Sequence, residues 1–332
     1  LEQSSSEKTA SYKSQIVAGK SLLDLTGGFG VDSYFFSKKI HNIFYTEIDA
    51  QLIQIASHNF KILGAKNVKV FLDDGISFLE STKEQFDWIY IDPSRRHDSK
   101  GKVFRLADCL PNVIEQIETL FSKSDNILIK TSPLLDISQG LKELPNIKDI
   151  HVVAVNNEVK ELLWVLKKEY KGSPLIKTIN LKNKSEFFDF VLNTEKRTDS
   201  TFSEPQQYLY EPNAAILKSG AFKLIGERFC LKKLHEHSHL YTTGDLIEFP
   251  GRRFRVKNVV PYHKKSLFTL NEKKANITIR NFPKSVADIR KKHKIKEGGD
   301  VYLFFTKDFL DQLIVIVCSR VVNNTENRNM TR

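Results

Sequence analysis

The first half of the chain alternates short β-rich runs with stretches of helical spacing. No other feature restricts the fold as much. Strands are expected at 21–25 (SLLDL), 43–47 (IFYTE), 67–71 (NVKVF), 87–91 (DWIYI) and 125–130 (DNILIK), with a helix over 50–63. Such alternation predicts an α/β domain, a doubly wound parallel sheet with helices on both faces. The run DIHVVAVNNEVKELLWVLKK (149–168) then reads as two strands joined at Asn156-Asn157, an antiparallel hairpin ending the sheet. Composition shifts after Gly172-Ser173-Pro174, so residues 1–172 are expected to form the first domain. Residues 173–245 read as a connection plus a small module. It has a polar linker at 194–206 and a helix over 212–227 with Pro212 at its first position. Residues 246–322 read as a small α+β module in the order strand, strand, helix, strand, strand, and 323–332 as a tail.

The first expected strand runs straight into DLTGGFG, where Asp24 is followed by Thr26, Gly27, Gly28 and Gly30. Glycines let the backbone turn tightly and approach a ligand. The helix expected from Val31 aims its N-terminal amides at the same place. A carboxylate beside the turn repels a pyrophosphate and suits an ammonium group, such as that of S-adenosylmethionine. Glu47 ends the second strand, where it can accept both ribose hydroxyls. Asp74, after the third strand, can accept from an adenine amino group. Together these residues describe one crevice for an adenosyl cofactor. Each acid, taken alone, also reads as a surface helix cap. NAD is the rival ligand, because GFGVDS partly fits G-x-G-x-x-G with Ser33 in the third place. Asp24 and the terminal hairpin count against it.

The fourth strand ends in IDPSRRHD. Asp92-Pro93 sits where a transferred methyl would lie, a rigid turn able to aim its carboxylate and carbonyls at a planar amine. Methyl transfer from a sulfonium is an in-line displacement, so positioning does much of the work. Arg95 and Arg96 are candidates for holding a substrate phosphate. The alternative is that Asp92 caps the next segment and the arginines pair with nearby acids. Neither this motif nor KTSPLLD (130–136) carries a cysteine nucleophile, which disfavours carbon-5 methylation of pyrimidines and favours a nitrogen target.

Charge separates the halves. Residues 1–172 net −1 and residues 173–332 net +12. Residues 252–296 alone carry 15 Lys and Arg against two acids, Glu272 and Asp288. Arg252, Arg253, Arg290, Lys291 and Lys292 are the candidate RNA contacts. Phe254, Tyr262, Phe268 and Phe282 lie among them, either to stack on unpaired bases or to form core. His235, His237 and His239 alternate as metal ligands on one strand face would, a pattern short loops also produce, and no metal is expected. The three cysteines are widely spaced, which points to a reducing, cytoplasmic setting. No apolar run approaches the ~20 residues of a membrane span. The chain begins at Leu1 and its only methionine is Met330, so a fragment or processed chain is expected.

EQSSSEKTASYK, DLTGGFGVD, IDPSRR, NNEVKELL and ANITIRNFPKSVADIRKKHKIKEGGDVYLF together resemble the bacterial class I SAM-dependent methyltransferases with a THUMP-like C-terminal domain. The resemblance covers nearly the whole chain. It implies a Rossmann-like catalytic domain, S-adenosylmethionine as cofactor, a ferredoxin-like insert matching 207–245, and RNA (tRNA or rRNA) as partner. It also implies an extra N-terminal helical region before this chain's start. Locally, the turn is similar to the D-x-T-x-G-x-G of a small-subunit rRNA guanine-N2 methyltransferase family. The expected function is methylation of a base nitrogen in structured RNA. The alternatives are a non-catalytic SAM- and RNA-binding protein, or a methyltransferase acting on a small molecule or protein.

Overall fold

The computed structural model describes residues 4–95, 105–263 and 272–321. The chain forms two compact units, Leu1–Leu192 and Asn193–Arg332. The first runs α1 (Glu7–Ser14), β1 (Ser21–Asp24), α2 (Val31–Ser37), β2 (Asn42–Glu47), α3 (Ala50–Ile62), β3 (Val68–Leu72), α4 (Gly75–Ser81) and β4 (Trp88–Ile91). It continues through β5 (Ser94–Arg95), β6 (Cys109–Leu110), α5 (Ile117–Lys123), β7 (Asn126–Thr131), α6 (Ile137–Glu143), β8 (Ile147–Val155), β9 (Glu158–Lys167), β10 (Leu175–Leu181) and β11 (Glu186–Val191). The five expected strands and the long helix appear within a residue or two of where periodicity places them.

Nine strands make one sheet in the order β11-β10-β8-β9-β7-β4-β1-β2-β3. β1 lies between β2 and β4, parallel to both. The chain leaves β1 for β2 on one side and returns from β3 to β4 on the other, a switch that opens a crevice at the strands' carboxyl ends. β9 is antiparallel to β7 and β8. Asn156 and Asn157 make the β8–β9 turn at φ 50° and 68°, the left-handed pair a two-residue hairpin requires. One core joins Leu22, Phe36, Ile43, Tyr90, Leu128 and Leu163, with Tyr12 and Ile16 packed against it.

Two expectations need correction here. The hairpin does not end the sheet, and the first unit does not stop at residue 172. β10 pairs in parallel with β8 over Leu175–Leu181, and β11 closes back on β10. Gly172-Ser173-Pro174 leads into β10 rather than out of the unit, and polar Thr178 and Asn180 lie within that strand. Both are buried and bonded inside the sheet: Thr178 Oγ1 donates to Phe188 O (2.9 Å) and Asn180 Nδ2 to Glu186 Oε2 (2.9 Å).

After α7 (Leu192–Arg197), the second unit contains β12 (Tyr208–Pro212), α8 (Ala214–Ser219), α9 (Leu224–Arg228), β13 (Lys232–Lys233) and β14 (Tyr241–Thr243). β15 (Gly251–Pro261), β16 (Asn276–Ile279), α10 (Val286–His293), β17 (Val301–Lys307) and β18 (Leu313–Arg320) follow. The two expected modules share one sheet, β13-β14-β12-β15-β18-β17-β16, because β15 pairs with both β12 and β18. The single helix over 212–227 is two helices. Pro212 ends β12, Asn213 caps α8 by accepting from Ile216 N–H, and Gly220 at φ 79° stops it. Phe254 packs in one core of this sheet, and Tyr262 and Phe282 against the core on α10. These three aromatics are packing residues, and Phe268 lies outside the described residues.

Candidate active site

A cavity of about 850 Å³ in the first unit opens at the carboxyl ends of β1, β2 and β4. Asp24, Thr26, Gly28, Glu47, Asp74 and Asp92 all line it. Local chemistry builds its floor. Gly30 caps α2 at φ 74°, and a Cβ there would strike Phe60 at 2.5 Å. A Cβ on Gly28 would meet nothing nearer than 3.9 Å, so the turn is open on that side. Gly28 N–H donates to Glu47 Oε2 (2.7 Å), and Tyr45 OH donates to Gly28 O (2.5 Å). Glu47 thus braces the turn and still faces the cavity.

Asp24 is only 1% exposed. It accepts from Ser33 Oγ–H (2.6 Å) and Thr26 N–H (3.1 Å). Burial pushes its carboxyl up to about 7, against those two hydrogen bonds. Thr26 stands where a glycine-rich turn would carry another glycine. Its Oγ1 accepts from Asp92 N–H at 2.7 Å, tying the turn to the fourth-strand motif. Asp74 caps α4, where Oδ1 accepts from Ile76 and Ser77 N–H (3.1 and 3.0 Å). The cap reading therefore holds for Asp74, and it lines the cavity as well.

Asp92 follows β4, and Pro93 behind it is buried. The Asp92 Oδ2 makes a close ion pair with Lys130 Nζ at the end of β7. Burial raises the Asp92 carboxyl, with Lys130 opposing the rise. Burial also acts to lower Lys130, but Asp92 and Asp32 outweigh it and hold the ammonium above the usual lysine range. Among the described residues Asp92 caps no helix. Arg95 lies in β5, whose backbone pairs with β6 beside the cavity residues Leu110 and Pro111. Arg96 lies outside the described residues.

Several members of the site were missed in the sequence. Asp32, in the first turn of α2, accepts from Tyr90 OH (2.7 Å) and Ser5 Oγ–H (2.9 Å). Lys13 of α1, fully buried, reaches Asp32 at 3.2 Å and both oxygens of Glu161 at 2.7 and 2.9 Å. Burial raises Glu161, opposed by Lys13, and raises the Tyr90 phenol well above its ordinary value. The available signal was charge inside apolar strands, Lys130 in NILIKT and Glu161 in VKELLWVL, since such residues are seldom fully buried unpaired.

The basic residues of the second unit divide. Arg253 is 8% exposed, and its Nη1 donates to Ile247 O (3.0 Å) and Glu248 Oε1 (2.9 Å). Arg252 Nε donates to buried Glu211 (2.6 Å), which also accepts from Arg280 (2.8 Å). Arg253 is therefore removed from the expected RNA contacts, and Arg252 is engaged in neutralising Glu211. Arg290 Nη1 donates to Ala275 O and Ile295 O, both at 3.3 Å. Lys291 and Lys292 are exposed on α10. The three histidines occupy a turn rather than a strand. His235 bonds Asn281 and Asp311, while His239 stacks on Phe222 at 3.7 Å.

Comparison with known proteins bears on both units. Residues 208–250 match the model of a ferredoxin-like domain, and 251–320 that of a THUMP domain-like family. A crystal structure from Porphyromonas gingivalis W83, of a protein assigned as a methyltransferase, superposes with a TM-score of 0.90 at 33% identity. The match covers 97% of this chain and 82% of that one. The chain belongs to this methyltransferase family. Its first unit is accordingly the family's Rossmann-like domain, and its second carries the ferredoxin-like and THUMP-like modules. Partial likenesses include an rRNA methylase from Streptococcus thermophilus (14% identity, TM-score 0.35, 48% of this chain and 93% of that). Another is a methyltransferase-type protein from Streptococcus mutans in complex with SAH (16%, 0.36, 48% and 96%). At that level they say nothing about what this chain binds. A search of curated proteins finds no match.

Proposed function

We propose that the chain transfers a methyl group from S-adenosylmethionine to a nitrogen of a base in structured RNA, tRNA or rRNA. The observation that carries this reading is Asp92. It stands at the end of a central strand, its backbone N–H tied to the glycine turn through Thr26, and it lines the cavity.

The cavity fits the cofactor. Five carboxylates line it (Asp24, Asp32, Glu47, Asp74 and Asp92), and its described lining holds no basic side chain. That charge suits a ligand bearing an ammonium and a sulfonium and repels the pyrophosphate of NAD. Asp24, Thr26, Gly28, Glu47 and Asp74 would hold it, and Gly30, which does not line the cavity, would shape the turn beneath them. When bound, it supplies a methyl carbon on a positively charged sulfur. Asp92 accepts a hydrogen bond from the target amine and turns the nitrogen lone pair toward that carbon. Pro93 stiffens the support, and positioning of this kind lowers the barrier without a covalent intermediate on the protein. Arg95 and Arg96 are assigned to substrate phosphate. Cys109 is buried and does not line the cavity, in keeping with a nitrogen target.

The THUMP domain-like match and the exposed Lys291 and Lys292 support RNA as the acceptor. The test is radiolabelled methyl transfer from S-adenosylmethionine into small and ribosomal RNA from a strain lacking the gene, compared with its parent. Label entering only the knockout RNA is expected. RNase-insensitive label would redirect the assignment to a protein or small molecule. Binding of S-adenosylmethionine without any transfer would make the chain a non-catalytic binder. Asp92→Ala is expected to lower transfer by about 10²-fold or more, with cofactor affinity changed only a few-fold.

A further inference from the structure

Lys130 pairs with Asp92 from outside the cavity lining. Its side chain is 13% exposed against 32% for Asp92, and only Asp92 lines the cavity. Lys130 takes Asp92 Oδ2, the backbone N–H of Asp92 is taken by Thr26, and Oδ1 has no partner among the described residues. The carboxylate is thus clamped on one side and offered on the other.

We propose that Lys130 is a positioning residue of the transfer step, holding one oxygen of Asp92 as an ionised carboxylate so that the other receives the amino group to be methylated. This rests on the methyltransferase reading of the site and deepens it. The groups around Asp92 make the dependence on Lys130 specific. Asp24 of β1, Asp32 of α2 and the phenol of Tyr90 face it with negative or neutral character, Glu161 of β9 acts on Lys130, and Lys13 of α1 is the second cation. Lys13 is already held by Glu161 and Asp32. With Lys130 neutralised, Asp92 is left beside other acids with no cation of its own, which raises its carboxyl further and favours the protonated form. A protonated Asp92 no longer attracts a cationic or proton-donating group at the methyl position.

The test needs no RNA. Sinefungin carries an amine in place of the methyl group of S-adenosylmethionine, on a carbon that replaces the sulfur, and S-adenosylhomocysteine has a neutral sulfur with no group at the methyl position. Calorimetric affinities for both ligands between pH 6 and 9 give a preference for the amine that reports the charge on Asp92. In Lys130→Met that preference is expected to be about tenfold lower than wild type at pH 6 and to climb as pH rises. Lys130→Arg should follow wild type. Asp24 titrates in every variant, so the double variant Lys130→Met with Asp92→Asn is included, and there the added pH dependence should vanish. A Lys130→Met profile parallel to wild type, or an added dependence that survives in the double variant, overturns the proposal. If Lys130→Met does not fold, Asp92→Asn alone decides: it should lower the preference about tenfold at pH 7.5, and an unchanged preference overturns the proposal. Wild-type protein binding neither ligand overturns the cofactor reading, and this inference with it. Wild-type binding with an unresponsive Lys130→Met overturns this inference alone.

Discussion

The two units handle charge in opposite ways. The first is nearly neutral in sequence, yet it gathers carboxylates around one cavity and places two lysines behind them, each against a named acid. The second carries a large positive excess, and part of it is consumed internally. Arg252 and Arg280 neutralise buried Glu211, and Arg253 is buried against Glu248. Net charge therefore understates the electrostatic organisation of the first unit and overstates the free positive surface of the second. Burial decides which charges act on a ligand and which act on the fold.

The largest effect is expected where that contrast is sharpest, at fully buried Lys13. Lys13→Met leaves Glu161 and Asp32 uncompensated and should cost about 3–5 kcal/mol, read from the first unit's urea transition. A Lys13→Met, Glu161→Leu double variant should recover most of it, and no recovery would mean the pair is not coupled as drawn.

Asp24 comes next. Its carboxyl is raised to about 7 in the folded chain, so the folded state holds a proton that the unfolded state has released between about pH 4 and 7. Stability contributed by this group is full below that window and is lost as pH rises through it. Asp24→Asn should therefore be more stable than wild type above pH 7, by on the order of 2 kcal/mol, with the difference closing toward pH 4. A difference independent of pH would assign the effect to packing.

The smallest effect is on the exposed cations. Lys291→Glu with Lys292→Glu should weaken RNA binding about tenfold at moderate salt and flatten its salt dependence. Arg253→Gln should lower thermal stability and leave the salt slope alone. If Arg253→Gln changed the slope and the lysine pair did not, the division of cations in the second unit would be wrong.

Much of the first unit was legible in the sequence. β1 to β4, β7, the long α3 and the Asn-Asn hairpin followed from periodicity and turn chemistry, which are written within a few residues of each other. Asp24, Gly28, Glu47, Asp74 and Asp92 were found because strand ends of a doubly wound sheet converge. The addition of β10 and β11 was not legible, since polar residues bonded inside a sheet look like a loop until their partners are known.

By itself, then, the sequence determined the strand and helix rhythm, the glycine turn and the acids that reach the cavity. Tertiary structure decided how those acids are charged and which cations remain outside. Lys13 and Glu161 lie 148 residues apart, and Lys130 of β7 lies 38 from Asp92, which follows β4. No local pattern encodes such pairs. A buried ion is tolerated only against its partner, and the partner is fixed by how distant strands come to lie side by side.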